Sequence, residues 1–362
     1  MAVQPGSWGL VLVALATLAL GASCSSEASP PAVGAGSLVG SEAVPGGMAR
    51  VPTGTGARST SPEGTGTSGA VGASAGEGVG NVTRVDETGN PSDPGGAGGG
   101  GTLDPAPSGG CGSPAGLTSG RASIDVAGKT REYILLVPEN YDPGRPYRLI
   151  FGWHPWGGSA QQIESRGYFG LESVIDGQAI LVAPEGQDFR GNGLGWGNAG
   201  GEDVAFLQAM LERFNSQLCI DENRIFSTGF SFGAMFSFTL ACSQDGRMRA
   251  IAPQAGNATT SGPCEDGTRS VATMAFIGTD DTLLDGHRRA VDILVERNGC
   301  SAEAATLQAS WCDGLDANNQ PCSCVEYPGC KEGYPVISCE YKAGHQFAPN
   351  AGATLWNFFS QF

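Results

Sequence analysis

Gly229-Phe230-Ser231-Phe232-Gly233 decides how this chain is read. The residues before it, Arg224-Ile225-Phe226-Ser227-Thr228, are rich in β-branched and aromatic side chains and predict a buried strand. Those after it, Ala234-Met235-Phe236-Ser237-Phe238-Thr239-Leu240-Ala241, predict a buried helix. A strand, a G-x-S-x-G turn and a helix make a nucleophile elbow. The sharp turn lifts the serine hydroxyl above the sheet, and the glycines let strand and helix pass closely beside it. The N–H of the next residue, Phe232, then points where an oxyanion would form. The pattern alone is weak in a chain with 58 glycines. A second copy, Gly72-Ala73-Ser74-Ala75-Gly76, lies in a Gly/Ser/Ala tract with no strand before it and no helix after it. Context therefore makes Ser231, not Ser74, the candidate nucleophile.

The 362 residues suggest two domains on length alone, but composition points elsewhere. Residues 25–110 are dominated by Gly, Ser, Ala, Thr, Pro and Val, with almost no aromatics. Such a tract cannot bury enough apolar surface to offset the entropy of ordering it, and it is expected to be a disordered linker. From Cys111 onward aromatic and branched residues become frequent, so residues 111–362 are expected to form one domain with a substantial core. A formal charge of −16 argues against nucleic-acid binding through phosphates.

Residues 8–20 form an apolar run too short to span a bilayer comfortably, and it ends in small residues. Residues 1–23 are therefore read as a signal peptide, although no Lys or Arg precedes the run. Leu20-Gly21-Ala22-Ser23-Cys24 loosely resembles a bacterial lipobox, with its leucine one place early. Lipidation of Cys24 would tether the domain to a membrane through the linker. Setting Cys24 apart leaves ten of the eleven cysteines, all in the domain. That even number predicts about five disulfides, an oxidising compartment and an extracellular location. The competing reading is a metal site around Cys312, Cys322, Cys324 and Cys330. No histidine lies among them, and the spacings are unlike the usual zinc pattern.

Patterning along the domain predicts a hairpin over 122–137, strands at 147–153, 179–183, 248–253, 273–277 and 336–341, and helices at 160–173 with an interruption near Gly167, 202–214, 288–298 and 351–359. Strands alternating with helices indicate an α/β fold, with a mostly parallel sheet covered on both faces.

An acyl-transfer serine needs a base, an orienting carboxylate and an oxyanion hole, and in this fold the chain order is Ser, acid, His. Two of the three histidines follow Ser231. His345 sits on a loop just after the 336–341 strand. His287, beside Arg288 and Arg289, is expected at the surface. The acid should follow the 273–277 strand, where Gly278-Thr279-Asp280-Asp281 offers Asp281 first and Asp280 second. The second oxyanion donor should come from His154-Pro155-Trp156-Gly157-Gly158. Pro155 has no N–H, so Trp156 leads and Gly157 follows, with His154 bracing the loop. Trp153, Trp156 and Trp196 are the candidates for lining a pocket that takes an aromatic acid; core packing is at least as good a reading for Trp153, and Trp196, in the Gly-rich 191–198 loop, is the leading pocket candidate. Glu202 and Asp203 are expected to complement the N-terminus of a helix.

With these residues in hand, the domain resembles the feruloyl esterases of carbohydrate esterase family 1, especially the fungal type B enzymes. It is also similar to the related acetylxylan esterases and polyhydroxybutyrate depolymerases. The resemblance runs from Cys111 to Phe362. It rests on Arg148-Leu149-Ile150-Phe151-Gly152-Trp153-His154, Gly195-Trp196-Gly197-Asn198, Gly201-Glu202-Asp203-Val204, Leu218-Cys219-Ile220-Asp221 and the elbow with Leu240-Ala241-Cys242. Asn298-Gly299-Cys300, Tyr327-Pro328-Gly329-Cys330 and Gly344-His345 complete it. It implies a disulfide-stabilised α/β-hydrolase fold with Ser231 as nucleophile, Asp281 as acid and His345 as base. Two departures are Pro155 in place of a more usual glycine, and Leu283-Leu284-Asp285 where the family commonly has Val-Pro. Tannase-like feruloyl esterases carry cysteines where this chain has Phe230 and Gly344, which sets that group aside.

The expectation is therefore an exported serine esterase needing no metal or organic cofactor. The resemblance implies a hydroxycinnamoyl ester on plant cell-wall xylan as substrate. An acetylxylan esterase or polyhydroxyalkanoate depolymerase is the alternative within enzymes. The alternative from another class is a non-catalytic carbohydrate-binding surface lipoprotein.

Overall fold

Alternation in the opening segment folds as expected. Strands β1 (Gly120–Val126) and β2 (Lys129–Leu136) pair antiparallel across a turn at Ala127-Gly128. The computed structural model describes residues 103–243, 247–258, 269–312, 315, 321–348 and 350–362, all within the unit Gly80–Phe362. The expected signal peptide, Cys24 and most of the expected linker lie outside these residues.

The chain continues through β3 (Tyr147–Trp153), α1 (Ala160–Ser165), β4 (Ala179–Pro184), the short hairpin strands β5 (Gln187–Asp188) and β6 (Leu194–Gly195), and α2 (Glu202–Gln217). Next come β7 (Ile220–Phe230), α3 (Phe232–Cys242), β8 (Ala250–Gln254), β9 (Ala272–Gly278) and α4 (Leu284–Arg297). Strands β10 (Ala305–Thr306), β11 (Cys322–Tyr327) and β12 (Val336–Tyr341) precede the closing helix α5 (Ala351–Phe359). Among the described residues one ten-stranded sheet has the order β1-β2-β4-β3-β7-β8-β9-β12-β11-β10. The run from β4 to β12 is parallel, and antiparallel strands flank it on both sides.

The parallel strands are buried on both faces, as their nearly continuous apolar sequences require. Leu149, Phe151 and Trp153 of β3 join one core with Phe206 and Met210 of α2, Phe236 of α3 and Leu294 of α4. Ile150 points the other way, into a core with Ile163 of α1 and Leu355 and Phe358 of α5. Phe359 stacks on Phe226 of β7, ring centroids 4.8 Å apart, and holds α5 against the sheet. Truncating a buried aromatic of this kind costs about 3–5 kcal/mol. This is the α/β-hydrolase architecture, with helices on both faces.

Several boundaries differ from expectation. Helix α1 ends at Ser165, at the expected interruption near Gly167, and does not resume before 173: Gly167, Tyr168 and Phe169 adopt positive φ (59°, 53° and 62°) and turn the chain. Helix α4 begins at Leu284, four residues early, which carries His287 inside. Residues 104–110, assigned by composition to the linker, pack on the domain instead. The Ala106 N–H donates to Asp221, and buried Ser108 bonds through its hydroxyl to the Leu218 carbonyl and the Ile220 N–H. Backbone and polar side-chain hydrogen bonds, not apolar side chains, hold that segment, so composition missed it.

Disulfides join Cys111 to Cys219, Cys300 to Cys330, Cys312 to Cys322 and Cys324 to Cys339. Cys242 is also disulfide-bonded, and Cys264 lies outside the described residues. All four cysteines of the metal alternative are engaged in this pairing. Cys312, Cys322 and Cys324 do cluster, but as disulfides, and Cys330 bonds to Cys300.

Candidate active site

Ser231 stands between β7 and α3 with φ 55° and ψ −114°, a conformation that a non-glycine residue adopts only when its surroundings impose it. The surroundings here are backbone. A Cβ on Gly229 would lie 2.6 Å from the Gly233 carbonyl carbon, and one on Gly233 would lie 2.1 Å from the Trp153 carbonyl oxygen. Only glycine at both positions lets β7, α3 and β3 close around the serine. The Ser231 N–H donates to the Gln254 carbonyl on β8 (3.0 Å), which pins the turn to the sheet.

The loop after β12 brings His345 over the elbow, and the loop after β9 brings Asp281 behind it. Ser231 Oγ is 2.8 Å from His345 Nε2, and Asp281 Oδ2 is 2.8 Å from His345 Nδ1. In the neutral tautomer that fits both, the serine hydroxyl donates to Nε2 and Nδ1–H donates to the carboxylate. The Asp281 side chain is fully buried, and its other oxygen accepts the Leu283 N–H at 2.8 Å. His345 is 38% exposed, open to an incoming ester. The two loops are tied together: Thr279 N–H donates to Tyr341 O and Asp280 N–H to Ala343 O. The Asp280 side chain points away and pairs with Lys342 Nζ (2.5 Å).

His287 is not at the surface, as expected from its arginine neighbours, but fully buried. It hydrogen-bonds to the Gly256 carbonyl (2.7 Å), and burial lowers its pKa to about 4.

In the loop after β3, Gly157 N–H is taken by Leu194 O (2.8 Å) and Gly158 N–H by Pro155 O (2.9 Å). The Trp156 N–H has no acceptor among the described residues. Phe232 opens α3, so the helix offers no acceptor for its N–H either. His154 is buried and held neutral, its pKa lowered to about 4 by desolvation. Its Nδ1–H donates to Pro155 O (2.8 Å), its Nε2 accepts the Gly186 N–H (2.8 Å), and its carbonyl accepts Trp196 Nε1–H (2.8 Å). These bonds brace the loop that presents Trp156.

Trp196, expected to line a pocket for an aromatic acid, presents no surface to solvent. It is fully buried, edge-on to Trp153 (4.9 Å) and stacked on Phe236 (5.5 Å). The glycines around it suggested exposure, yet they serve packing. Phe232 lies where a Cβ of Gly195 would be, and Phe189 where one of Gly197 would be. Among the described residues the exposed aromatic is Trp156 itself, at 56%. Phe189, half-buried on the β5–β6 hairpin, and Phe347 near His345 also belong to the site, and the sequence reading missed both. Asp203 is more than a helix-end charge. It is buried, paired with Arg131 (2.8 Å), and accepts the Asn198 N–H, while Glu202 pairs with Lys129 at the surface.

The chain is 37% identical over 278 residues to "Feruloyl esterase D" of Neurospora crassa, covering 71% of this chain and 91% of that one. The chain belongs to the feruloyl esterase family. Two further members agree. "Probable feruloyl esterase C" of Aspergillus terreus is 36% identical, over 70% of this chain and 92% of its own length. "Feruloyl esterase C" of Emericella nidulans is 34% identical, over 69% and 90%. No family model matches the chain. As a member of this family it is a serine carboxylic-ester hydrolase, and the elbow, buried carboxylate and braced loop are features of this esterase's own structure.

Proposed function

We propose that the chain is an exported feruloyl esterase that releases hydroxycinnamic acids from plant cell-wall xylan, with Ser231 as nucleophile, His345 as base and Asp281 as the orienting acid. The observation that carries this reading is the continuous relay Ser231–His345–Asp281, both links at 2.8 Å, in a chain related to esterases along most of its domain. Ser231 Oγ attacks the ester carbonyl carbon while its proton passes to His345 Nε2. The carbonyl becomes an oxyanion facing the N–H groups of Phe232 and Trp156. Collapse breaks the bond to the alcohol oxygen, which leaves with the proton from His345. Water then attacks the acyl-serine, giving its proton to His345. The acid departs, and the proton returns to Ser231 Oγ. Asp281 accepts the Nδ1–H of His345 and so holds the imidazole in one tautomer. The disulfides and the expected leader support export. Anchoring through a lipid on Cys24 is a further part of the proposal.

The test is hydrolysis of methyl ferulate, p-nitrophenyl acetate and an aliphatic polyester by the wild type and by Ser231→Ala. The wild type should prefer methyl ferulate, and Ser231→Ala should lose roughly 10³-fold or more in turnover while keeping its fold. A preference for acetyl esters or for the polyester would move the assignment to an acetylxylan esterase or a depolymerase. A folded Ser231→Ala with near-wild-type activity would overturn it altogether.

A further inference from the structure

The sheet order separates the two sides of the ester. His345 and Asp281 follow β12 and β9, on one side of β7. Trp156 and Phe189 follow β3 and β4, on the other. His345 hands its proton to the departing alcohol oxygen, so the alcohol lies on the His345 side, and the acyl group must extend away from it.

Each side carries its own aromatic wall, and each wall starts at a neighbour of the serine. Beyond Phe232 stands Phe189 (5.0 Å, 69°), and beyond that Trp156 (6.5 Å, 88°). Beyond Phe230, whose ring is 5.0 Å from that of His345, stands Phe347 (5.6 Å), with the Arg166 guanidinium 4.7 Å from its centroid. Trp156 is more than half exposed and Phe189 only half-buried, so free ring surface faces outward beside the elbow. A flat aromatic acid can bury its faces and edges against such rings, which attract one another edge-to-face as well as by area. Each wall has an exposed cation at its rim: Arg190 lies 4.9 Å from the Phe189 centroid, and Arg166, from the segment between β3 and β4, is brought to the other wall by its contact with Phe347.

We propose that Trp156 and Phe189 form the acyl wall that selects a planar aromatic acid, and that Phe347 with Arg166 lines the alcohol side. This rests on the esterase reading above and deepens it by giving each half of the ester its own surface.

Two esters carry their ring on opposite sides: methyl ferulate in the acyl group, p-nitrophenyl acetate in the leaving group. The readout is the ratio of their kcat/KM values. Phe189→Ala should lower the ferulate-to-acetate ratio at least tenfold, and Trp156→Ala, which keeps the backbone N–H, should lower it too. Phe347→Ala should raise it. Phe189→Leu keeps apolar bulk without the ring and should lower the ratio less; it serves if the alanine variant does not fold. A ratio within twofold of wild type in Phe189→Ala, or a rise, overturns the assignment of the acyl wall. Failure of the esterase reading looks different: the wild type hydrolyses neither ester, or Ser231→Ala retains turnover. In that case both proposals fall.

Discussion

Asp281 Oδ2 lies 2.8 Å from His345 Nδ1, while the adjacent Asp280 turns outward to Lys342. Two neighbouring aspartates on one turn thus have opposite environments. One is fully buried with both oxygens engaged, and the other is half in solvent. Asp281→Asn places an amide where the carboxylate accepts Nδ1–H and favours the wrong imidazole tautomer. Its kcat should fall by about 10⁴. Asp280→Asn breaks only an exposed pair and should change kcat less than threefold. Steady-state kinetics of both variants on methyl ferulate check the ranking, and the reverse order would move the acid to Asp280.

Gly197 leaves room for the Phe189 ring, since a Cβ there would lie 2.6 Å from Phe189 Cδ2. Gly197→Ala should push that ring off Phe232. We expect a loss of about 1–3 kcal/mol from overpacking and a lower kcat/KM for methyl ferulate. Denaturant unfolding and ester kinetics read the two effects separately. An unaltered ferulate kcat/KM would mean that the ring's position does not matter.

Cys111–Cys219 closes a loop with a sequence separation of 108 and ties the start of the domain to the foot of β7. Removing it with Cys111→Ser/Cys219→Ser should cost about 4–5 kcal/mol in the chain-entropy account. Thermal and denaturant unfolding give the value. Thiol titration of the denatured, unreduced protein should find essentially no free thiol among the ten domain cysteines. Two or more per chain would overturn full pairing.

His154 and His287 make stability fall in acid. Unfolded, both titrate near 6.5; folded, burial holds both at about 4. Between those values the unfolded chain binds more protons. The stability associated with the neutral rings is therefore fully present above pH 6.5 and drains away as pH falls through about 4. Each ring contributes a slope of up to about 1.4 kcal/mol per pH unit. His287→Asn keeps a donor for Gly256 O and removes one titrating ring, so its unfolding free energy should depend less steeply on pH between 6.5 and 4. An unchanged slope would show that His287 is not the buried neutral group described.

Much of the fold was legible because parallel strands buried on both faces are written as continuous apolar runs. β4, β9 and β12 stand where 179–183, 273–277 and 336–341 placed them, and the serine was marked by the strand and helix around it. Elements without such runs were not legible. The β5–β6 hairpin is two residues a side, and β11 (Cys-Ser-Cys-Val-Glu-Tyr) has no continuous apolar run. Residues 104–110 are held by backbone and polar side-chain hydrogen bonds that leave no mark in composition.

Sequence by itself determined the chemistry. A G-x-S-x-G turn between a strand and a helix marks where the serine stands, and in the α/β-hydrolase fold the acid and the histidine come after it along the chain. Tertiary structure decided which of two adjacent aspartates faces the imidazole, which histidine is sealed in the core, and which tryptophan meets solvent. Those choices depend on contacts between residues far apart in the chain: Asp281 with His345, His287 with Gly256, Trp196 with His154. Residue type and local spacing describe only near neighbours, so a glycine-rich stretch can equally be an exposed loop or, as around Trp196, a floor on which distant rings pack.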